Sequence, residues 1–269
     1  MRLERGAVVL ITGASSGIGR QTALAFARAG ARLFLVARRR DVLETVGAQA
    51  RQAGASAVEP FPCDLAVPGT GTRIVEECEK RLGAADVLVA NAGYGNSGSV
   101  ETFSPEQMNR IWQVNYQSGY ESIHAAIPGM KKRGRGHIFL VSSVVGRRAI
   151  PYAGPYCVTK FAQAALAEAL HFELAPAGIG VTAICPGRTR TEFFDVIEKT
   201  DKDLPTTGGF QDPAVVARGI VRAVGGKRRE IRFTLSGKAG VRLSLWAPWI
   251  VDRLVEARVR SMRRSAKTP

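Results

Sequence analysis

The stretch Thr12-Gly13-Ala14-Ser15-Ser16-Gly17-Ile18-Gly19 follows an apolar run from Val8 to Ile11 and precedes a segment of helical periodicity from Arg20 to Arg28. Glycine tolerates positive φ angles and lets a backbone approach a pyrophosphate without a Cβ in the way. The amino end of the following helix presents unpaired amides and a positive dipole to phosphate. A strand, this turn and a helix therefore predict a dinucleotide-binding βαβ unit, with an ordinary tight turn as the alternative.

The same alternation of short apolar runs and longer helical segments continues along the chain. The predicted strands are Val8 to Ile11, Arg32 to Val36, Ala57 to Pro60, Val87 to Ala90, His137 to Val141 and Gly180 to Ile184. Consecutive βαβ units build a parallel sheet with helices on both faces. We therefore predict an α/β fold, a single-domain Rossmann fold with a doubly wound parallel sheet of about seven strands. A ligand crevice is expected at the carboxyl ends of these strands.

Composition is consistent with one domain over residues 1–269, because 45% of the chain is hydrophobic and no stretch resembles a linker. The segment from Met1 to Gly6 is polar, and no run of about 18 apolar residues occurs. We therefore expect a cytoplasmic protein without a membrane-spanning helix. Cysteines and histidines lack the spacing of metal ligands, so we expect reduced thiols and no metal. These residues are Cys63, Cys78, Cys157, Cys185, His124, His137 and His171.

Positive charge is concentrated at the carboxyl end of the chain. The net charge is +15, and the section from Lys227 onward holds twelve lysines and arginines against three acids. Residues 234–269 form a basic amphipathic extension in which Trp246 and Trp249 lie among apolar residues and arginines. Such a segment suits peripheral contact with a membrane, and equally packing on a partner subunit or the core. A solvated face that aids solubility is the alternative for the charge alone.

The glycine spacing is GxxxGxG rather than GxGxxG, and the stretch TGxxxGIG resembles the short-chain dehydrogenase/reductase (SDR) family. The resemblance rests on five ordered motifs and extends from Val8 to about Arg232. It implies a hydride-transferring oxidoreductase with a nicotinamide dinucleotide as cofactor. The turn residues that would bind this cofactor are Gly13, Ser15, Ser16, Gly17, Ile18 and Gly19.

The end of the second strand indicates which dinucleotide binds. It reads Ala37-Arg38-Arg39-Arg40 and contains no acid for ribose hydroxyls, whereas a guanidinium suits a dianionic 2′-phosphate. In the resemblance, Ala37 stands where NAD-dependent members have aspartate, and Arg38 matches the arginine of NADP-dependent members. We therefore predict NADP(H), with a charged turn before the next helix as the alternative.

Further cofactor contacts follow from the resemblance. Asp64 with Leu65 matches the acid that holds the adenine amino group, and Asn91-Ala92-Gly93 resembles the motif at the adenine ribose. The segment from Pro186 through Gly187, Thr189 and Thr191 resembles the motif whose threonine contacts the carboxamide, and either threonine fits that role. Read singly, such segments are plain turns, since Asn, Asp and Gly favour turns.

Tyr156 and Lys160 are four residues apart at the start of a predicted helix, so both side chains lie on one face. Carbonyl reduction needs a proton at oxygen, and an unperturbed phenol with a pKa near 10 is a poor base for the reverse step. We expect Lys160, aided by a positive nicotinamide ring, to lower the pKa of Tyr156. A surface tyrosine beside a surface lysine is the alternative. Tyr152 is rejected as a rival base because its i+4 residue is Tyr156 rather than a cation.

Ser143, at the end of the fifth predicted strand, would donate a hydrogen bond to the substrate oxygen, and Ser142 is the lesser candidate. The resemblance implies that Lys160 also holds the nicotinamide ribose. It implies as well that Asn115 keeps a water that links Lys160 to bulk solvent, although a helical asparagine is usually polar surface or a cap. Residues 188–212 correspond to a substrate lid, in which the aromatic residues either line an apolar pocket or pack in the core. They are Phe193, Phe194 and Phe210.

Together these motifs predict an NADP(H)-dependent oxidoreductase that reduces a ketone or aldehyde, or oxidises the corresponding alcohol. The apolar lid residues favour a lipophilic substrate that resembles a steroid, a retinoid or an acyl group. The resemblance implies a homodimer or homotetramer that pairs through the helices of Asn115 and Tyr156. One alternative is an NADP-binding regulatory protein without turnover. Another is a nucleic-acid binder, which the charge alone suggests and no recognised module supports.

Overall fold

The computed structural model describes residues 3–192, 197–200 and 209–265. The strands are β1 (Val8–Thr12), β2 (Arg32–Ala37), β3 (Ala57–Pro62), β4 (Val87–Ala90), β5 (Asn96–Ser97), β6 (Gly136–Val141), β7 (Ile179–Cys185), β8 (Glu198–Lys199) and β9 (Glu230–Arg232). Seven of them form one parallel sheet in the order β3-β2-β1-β4-β6-β7-β9. This sheet confirms the predicted doubly wound Rossmann fold. Strands β5 and β8 form a separate two-residue pair.

Helices connect these strands. They are α1 (Gly17–Arg28), α2 (Arg40–Gln52), α3 (Thr70–Leu82), α4 (Pro105–Trp112), α5 (Ser118–Arg133), α6 (Gly154–Leu174), α7 (Pro213–Ala223), α8 (Leu235–Trp246) and α9 (Pro248–Ser265). Side chains cap the starts of α4, α7 and α8. Ser104 and Gln107 form a reciprocal capping box at α4, while Asp212 and Thr234 accept from backbone amides at the starts of α7 and α8.

The strand order reverses at β1, which pairs with β2 on one side and with β4 on the other. In an open parallel sheet this reversal leaves a crevice at the carboxyl ends of the two central strands. All six predicted strands are present, and their ends differ from the prediction by at most two residues. The seventh, β9, has only three residues, all of them partly exposed, and carries no apolar run that would have predicted it.

Both faces of the sheet are covered, which explains why its strands are continuous apolar runs rather than alternating ones. Successive side chains of a strand point to opposite faces. Leu10 and Phe34 accordingly belong to one buried cluster, while their neighbours Val9 and Leu33 belong to a second cluster on the other face. Two hydrophobic layers therefore hold the sheet rigid behind its carboxyl edge.

His137 is fully buried on β6 and forms a closed hydrogen-bond chain. Its Nδ1 accepts from the Gly225 amide at 2.9 Å, and its Nε2 lies 3.0 Å from the Thr182 hydroxyl. That hydroxyl donates to the Arg228 carbonyl at 2.7 Å, so it accepts from Nε2, and the imidazole is neutral. Burial lowers the pKa of His137 to about 4. This histidine therefore has a packing role.

The four cysteines are buried free thiols. Across the described ranges, no group of three or more His, Cys, Asp or Glu side chains could hold a metal ion. In the same part of the chain, no helix combines the length and the apolarity that crossing a membrane requires.

Candidate active site

A cavity of about 410 Å³ opens at the carboxyl edge of the sheet. It brings together nearly all of the residues that the sequence assigned to the cofactor or to catalysis, and of these Gly19 and Asn115 do not line it. The predicted residues that line the cavity are Gly13, Ser15, Ser16, Gly17, Ile18, Arg38, Asp64, Leu65, Asn91, Ala92, Gly93, Ser143, Tyr156, Lys160, Pro186, Gly187, Thr189 and Thr191.

The glycine turn between β1 and α1 requires each of its three glycines. Gly13 and Gly17 have positive φ angles of 65° and 52°. A Cβ on Gly19 would lie 2.1 Å from the carbonyl oxygen of Gly13, so only glycine allows this close approach. A Cβ on Gly17 would lie 2.6 Å from Cγ2 of Thr191. Thr191, rather than Thr189, therefore packs against the turn.

Thr12 and Asn91 connect this turn to the loop after β4. The amides of Asn91 and Ala92 each donate to Oγ1 of Thr12 at 3.0 Å, and the Asn91 side chain donates to the Thr12 carbonyl at 2.9 Å. The same side-chain nitrogen lies 3.2 Å from the Gly13 carbonyl oxygen. The Asn91 side chain thus connects the loop after β4 to the glycine turn after β1.

Arg38 and Arg39 lie between β2 and α2 and both line the cavity, but their ion pairing differs. Arg39 pairs with Glu192 at 2.7 Å, and both side chains are about half exposed. Arg38 is exposed and lines the cavity, and the described residues show no carboxylate in an ion pair with it. The preceding residue, Ala37, is buried and supplies no acid. Arg38 therefore remains available for an anion inside the cavity.

Asp64 and Leu65 follow β3 at the same edge. One Asp64 carboxylate oxygen accepts from the Ala66 amide at 3.0 Å, which forms a tight turn of the Asx type. Leu65 is buried against the sheet, and both residues line the cavity.

Tyr156 lies in the first turn of α6, and its backbone amide donates a hydrogen bond to Oδ1 of buried Asn96 at 2.8 Å. A hydrogen bond with Ser143 connects its hydroxyl to the end of β6. The adjacent Ser142 instead donates to the Lys160 carbonyl at 2.7 Å, so its hydroxyl is used within the fold. Ser143 is therefore the serine beside the phenol.

Lys160 is 4% exposed, and its ammonium lies 5.5 Å from the centre of the Tyr156 ring. It donates to the Val141 carbonyl at 2.8 Å and to Oε1 of Gln163 at 2.9 Å. Burial lowers the pKa of Lys160 to about 7. Burial also raises the pKa of Tyr156, and the hydrogen bond from Ser143 opposes that change. In the chain alone, burial thus dominates over the lowering that we expected from Lys160.

Asn115 lies in a π-helical turn, Gln113–Gln117, between α4 and α5. Its side chain accepts from the Tyr94 amide and donates to the Tyr94 carbonyl, both at 2.9 Å, and also donates to Thr159 at 3.1 Å. This side chain therefore fixes the loop after Gly93 against α6. It does not line the cavity, and its backbone carbonyl points to Gln163 instead.

Gln163 was not among the predicted residues. Its Nε2 donates to the Asn115 carbonyl at 2.7 Å while its Oε1 accepts from Lys160. The spacing Lys160 to Gln163 is i to i+3, which places both on one helix face and was the available signal. The apolar wall of the cavity was missed as well, because its members come from separate loops. They are Val114, Val144, Val145 and Ile150.

Only part of the predicted lid, 188–212, belongs to the described residues. Thr189 bridges to Gln211, and its hydroxyl donates to the Gly187 carbonyl at 3.0 Å. Phe210 is 45% exposed, and the Arg188 guanidinium lies over its ring, 4.5 Å from the ring centre. It does not line the cavity. Phe193 and Phe194 lie outside the described residues.

A family model described as short chain dehydrogenase matches residues 7–202. The chain is 33% identical to "Dehydrogenase/reductase SDR family member 7B" of Bos taurus over 272 residues, which cover 97% of this chain and 84% of the relative. It is 31% identical to "Epidermal retinol dehydrogenase 2" of Mus musculus over 222 residues, which cover 81% of this chain and 71% of that relative.

Solved structures are similar over nearly the whole chain. A short-chain dehydrogenase from Sphingobium yanoikuyae in complex with NADPH is 30% identical with a TM-score of 0.76, and the match covers 96% of this chain and 95% of that one. A short chain dehydrogenase/reductase from Burkholderia phymatum in complex with NAD is 25% identical with a TM-score of 0.83. That match covers 93% of this chain and 96% of the other. Neighbours thus carry either dinucleotide.

Proposed function

Since the chain belongs to the short-chain dehydrogenase/reductase family of oxidoreductases, we propose that it interconverts a carbonyl compound and the corresponding alcohol with NADP(H). The observation that carries this proposal is one cavity in which the glycine turn, Arg38 and the group of Ser143, Tyr156 and Lys160 meet. A turn that can hold a dinucleotide and an acid/base group at the same crevice is what hydride transfer requires.

In the proposed reaction Tyr156 holds the proton that the substrate oxygen gains on reduction and takes it back on oxidation. Ser143 already contacts the Tyr156 hydroxyl and would donate a hydrogen bond to the substrate oxygen as charge develops there. Lys160, 5.5 Å from the phenol ring, would stabilise the phenolate electrostatically when it is protonated. The nicotinamide supplies the hydride acceptor or donor when it is bound.

We propose NADP(H) rather than NAD(H) because of the two neighbouring arginines. Both arginines line the cavity, but the charge of Arg39 is balanced by Glu192, whereas Arg38 shows no ion pair with a described carboxylate. Ala37 offers no carboxylate to ribose hydroxyls. A planar guanidinium matches a dianionic 2′-phosphate through paired hydrogen bonds. The glycine turn supports the fit, since the Ser16 side chain does not cap the amino end of α1 and the amides there suit a pyrophosphate.

We propose a lipophilic substrate. The support is the apolar wall formed by Val144, Val145 and Ile150 beside Tyr156, together with the name of the retinol dehydrogenase relative. The test is NADPH oxidation followed with a panel of retinoid, steroid and acyl-chain carbonyl compounds, with small polar aldehydes as controls. Tyr156→Phe is expected to lower kcat about 10²- to 10⁴-fold and to leave NADPH binding nearly unchanged.

A protein that binds NADPH and turns over none of these compounds would instead support the regulatory alternative. A chain that binds neither dinucleotide would contradict the proposal altogether. Because dinucleotide binding and turnover are measured separately, the two outcomes are distinct.

We propose that the protein is a homo-oligomer that pairs through α5 and α6. The support is a group of exposed apolar side chains on these two helices: Tyr120 on α5, and Val158, Phe161 and Phe172 on α6, which are 41% to 63% exposed. Light scattering after size exclusion is expected to give at least a dimer, and Phe161→Glu should shift the mass to the monomer. A wild-type monomer would contradict this proposal.

We also propose peripheral membrane contact through the corner between α8 and α9. Trp246 and Trp249 on this corner are 87% and 60% exposed. Both acids of α9 already form ion pairs, Asp252 with Arg148 and Glu256 with Arg260. Arg242 and Arg253 are exposed and show no ion pair with a described carboxylate, so the corner presents apolar rings beside uncompensated positive charge. This combination suits an anionic lipid surface.

Flotation with phosphatidylcholine vesicles, with and without phosphatidylserine, tests the contact. Binding is expected only to the anionic vesicles, and it should be lost in Trp246→Ser/Trp249→Ser and reduced by salt. Val67→Ser, which changes an exposed apolar residue before α3, is the control. Equal partitioning of the wild type and the double variant to the vesicles would contradict the proposal. If added duplex DNA displaced the protein from the anionic vesicles, the surface would be a general polyanion site.

A further inference from the structure

Gln163 forms the link between Lys160 and the π-helical turn. Gln163 is 3% exposed, and the two residues that its amide joins, Lys160 and Asn115, are 4% and 1% exposed. The distances are 2.9 Å from Lys160 Nζ to Oε1 and 2.7 Å from Nε2 to the Asn115 carbonyl oxygen. At this position the resemblance led us to expect a water held by Asn115.

The orientation of this amide follows from its neighbours. An ammonium can only donate and a carbonyl can only accept, so Oε1 must face Lys160 and Nε2 must face Asn115. A flipped amide would place donor against donor and acceptor against acceptor among residues that are at most 4% exposed. The Gln163 carbonyl dipole is therefore fixed with its negative end on the ammonium.

We propose that Gln163 is a positioning residue of the proposed reaction. Its amide is held by the Asn115 carbonyl, fixes the Lys160 ammonium next to the Val141 carbonyl and stabilises the charge of that ammonium. The inference rests on the proposed function, because Lys160 matters to turnover only if Tyr156 is the acid/base. Two of the three ammonium hydrogens are then used by Gln163 and Val141. The third remains for the cavity, which Lys160 lines.

An amide also differs from a water in proton transfer. Water donates and accepts at one oxygen and can rotate to pass a proton on, whereas Gln163 holds its donor and its acceptor on different atoms. The Gln163 contact therefore positions Lys160 and does not itself pass a proton on.

Two substitutions separate charge stabilisation from space filling. Gln163→Glu keeps an acceptor on Lys160 and adds a negative charge, so the pKa of Lys160 should rise by at least one unit. Gln163→Met keeps the length of the side chain and removes both hydrogen bonds, so this pKa should fall. The titratable groups that face Lys160 are Tyr156 on the same helix and Cys185 on β7, and burial raises the pKa of both thiol and phenol.

The experiment is an NMR titration of lysines labelled at ¹³Cε in the full chain, with the Lys160 signal identified by its absence in Lys160→Met. It needs no turnover, so its outcome is independent of the proposed function. Opposite shifts of the Lys160 pKa in Gln163→Glu and Gln163→Met are expected. An unchanged pKa in both variants, or a shift of the same sign, would overturn the proposal.

Kinetics provide the second readout. In Gln163→Met kcat should fall about 10- to 100-fold with KM for NADPH changed less, and the limb of the pH profile that Lys160 controls should move with its NMR pKa. Gln107→Met is the matched control, because Oε1 of Gln107 accepts a hydrogen bond from the Ser104 amide and its Nε2 donates one to Glu198, outside the cavity. It should lose stability without moving the pH profile. If Gln163→Met stayed active with an unchanged pH profile, the role of Gln163 would be contradicted, whereas the proposed oxidoreductase function would stand.

Discussion

Replacing Arg38 by leucine is expected to lower kcat/KM with NADPH about thirty-fold and to change kcat/KM with NADH less than about three-fold. The magnitude follows from exposure. Arg38 is exposed at the cavity wall, so its contact with an anion is screened by water. A contact pair of unit charges contributes about 1 kcal/mol in such surroundings, and a dianionic 2′-phosphate about twice that. About 2 kcal/mol corresponds to a factor of roughly thirty.

The assay is initial-rate kinetics with both reduced dinucleotides and one carbonyl substrate. Arg39→Leu is the matched control, since the Arg39 guanidinium already lies 2.7 Å from Glu192 and should contribute less. Adding a carboxylate with Ala37→Asp in the Arg38→Leu background is expected to reverse the preference toward NADH. The reasoning is refuted if the ratio of the two kcat/KM values stays the same in Arg38→Leu, or if Arg39→Leu lowers it equally.

Three further outcomes are expected. Because His137 is neutral in the fold with a pKa of about 4 and titrates near 6.5 when unfolded, wild type should lose about 3 kcal/mol of unfolding free energy as pH falls across this window. Urea unfolding of His137→Phe should show a smaller loss. Gly19→Ala, with its Cβ 2.1 Å from a carbonyl of the same turn, should weaken NADPH binding at least about ten-fold, whereas Gly240→Ala should not. Ser143→Ala should lower kcat about 10²-fold, while Ser142→Ala should mainly lower the melting temperature.

The parts of the site that the sequence predicted are those that depend on local chemistry. The glycine turn needs positive φ at Gly13 and Gly17 and a missing Cβ at Gly19. Glycines at this fixed spacing can be recognised in the sequence. The sheet was predictable because two covered faces force uninterrupted apolar strands. Tyr156 and Lys160 meet because one helix carries both.

Other features depend on contacts between distant segments. Gln163 and Asn115 are 48 residues apart, and only the packing of α6 on the π-helical turn brings them together. Thr191 packs against Gly17, a contact that no local pattern encodes, and which of Thr189 and Thr191 contacts the carboxamide stays a prediction. The apolar cavity wall collects Val114 from the π-helical turn, Val144 and Val145 from the segment after β6, and Ile150 from the loop before α6.

The direction of the Tyr156 pKa change is a feature of the site that the sequence did not predict. The spacing to Lys160 predicts a lowered pKa, but burial acts on both groups and favours the neutral phenol and the neutral amine. Their polar contacts act the other way, since Ser143 stabilises a phenolate and the carbonyls of Gln163 and Val141 stabilise an ammonium. A pair that burial alone would hold neutral is therefore surrounded by groups that favour its charged state. For Lys160, whose pKa falls to about 7, this opposition leaves the charged and neutral amine close in free energy near neutral pH, whereas burial still favours the neutral phenol of Tyr156.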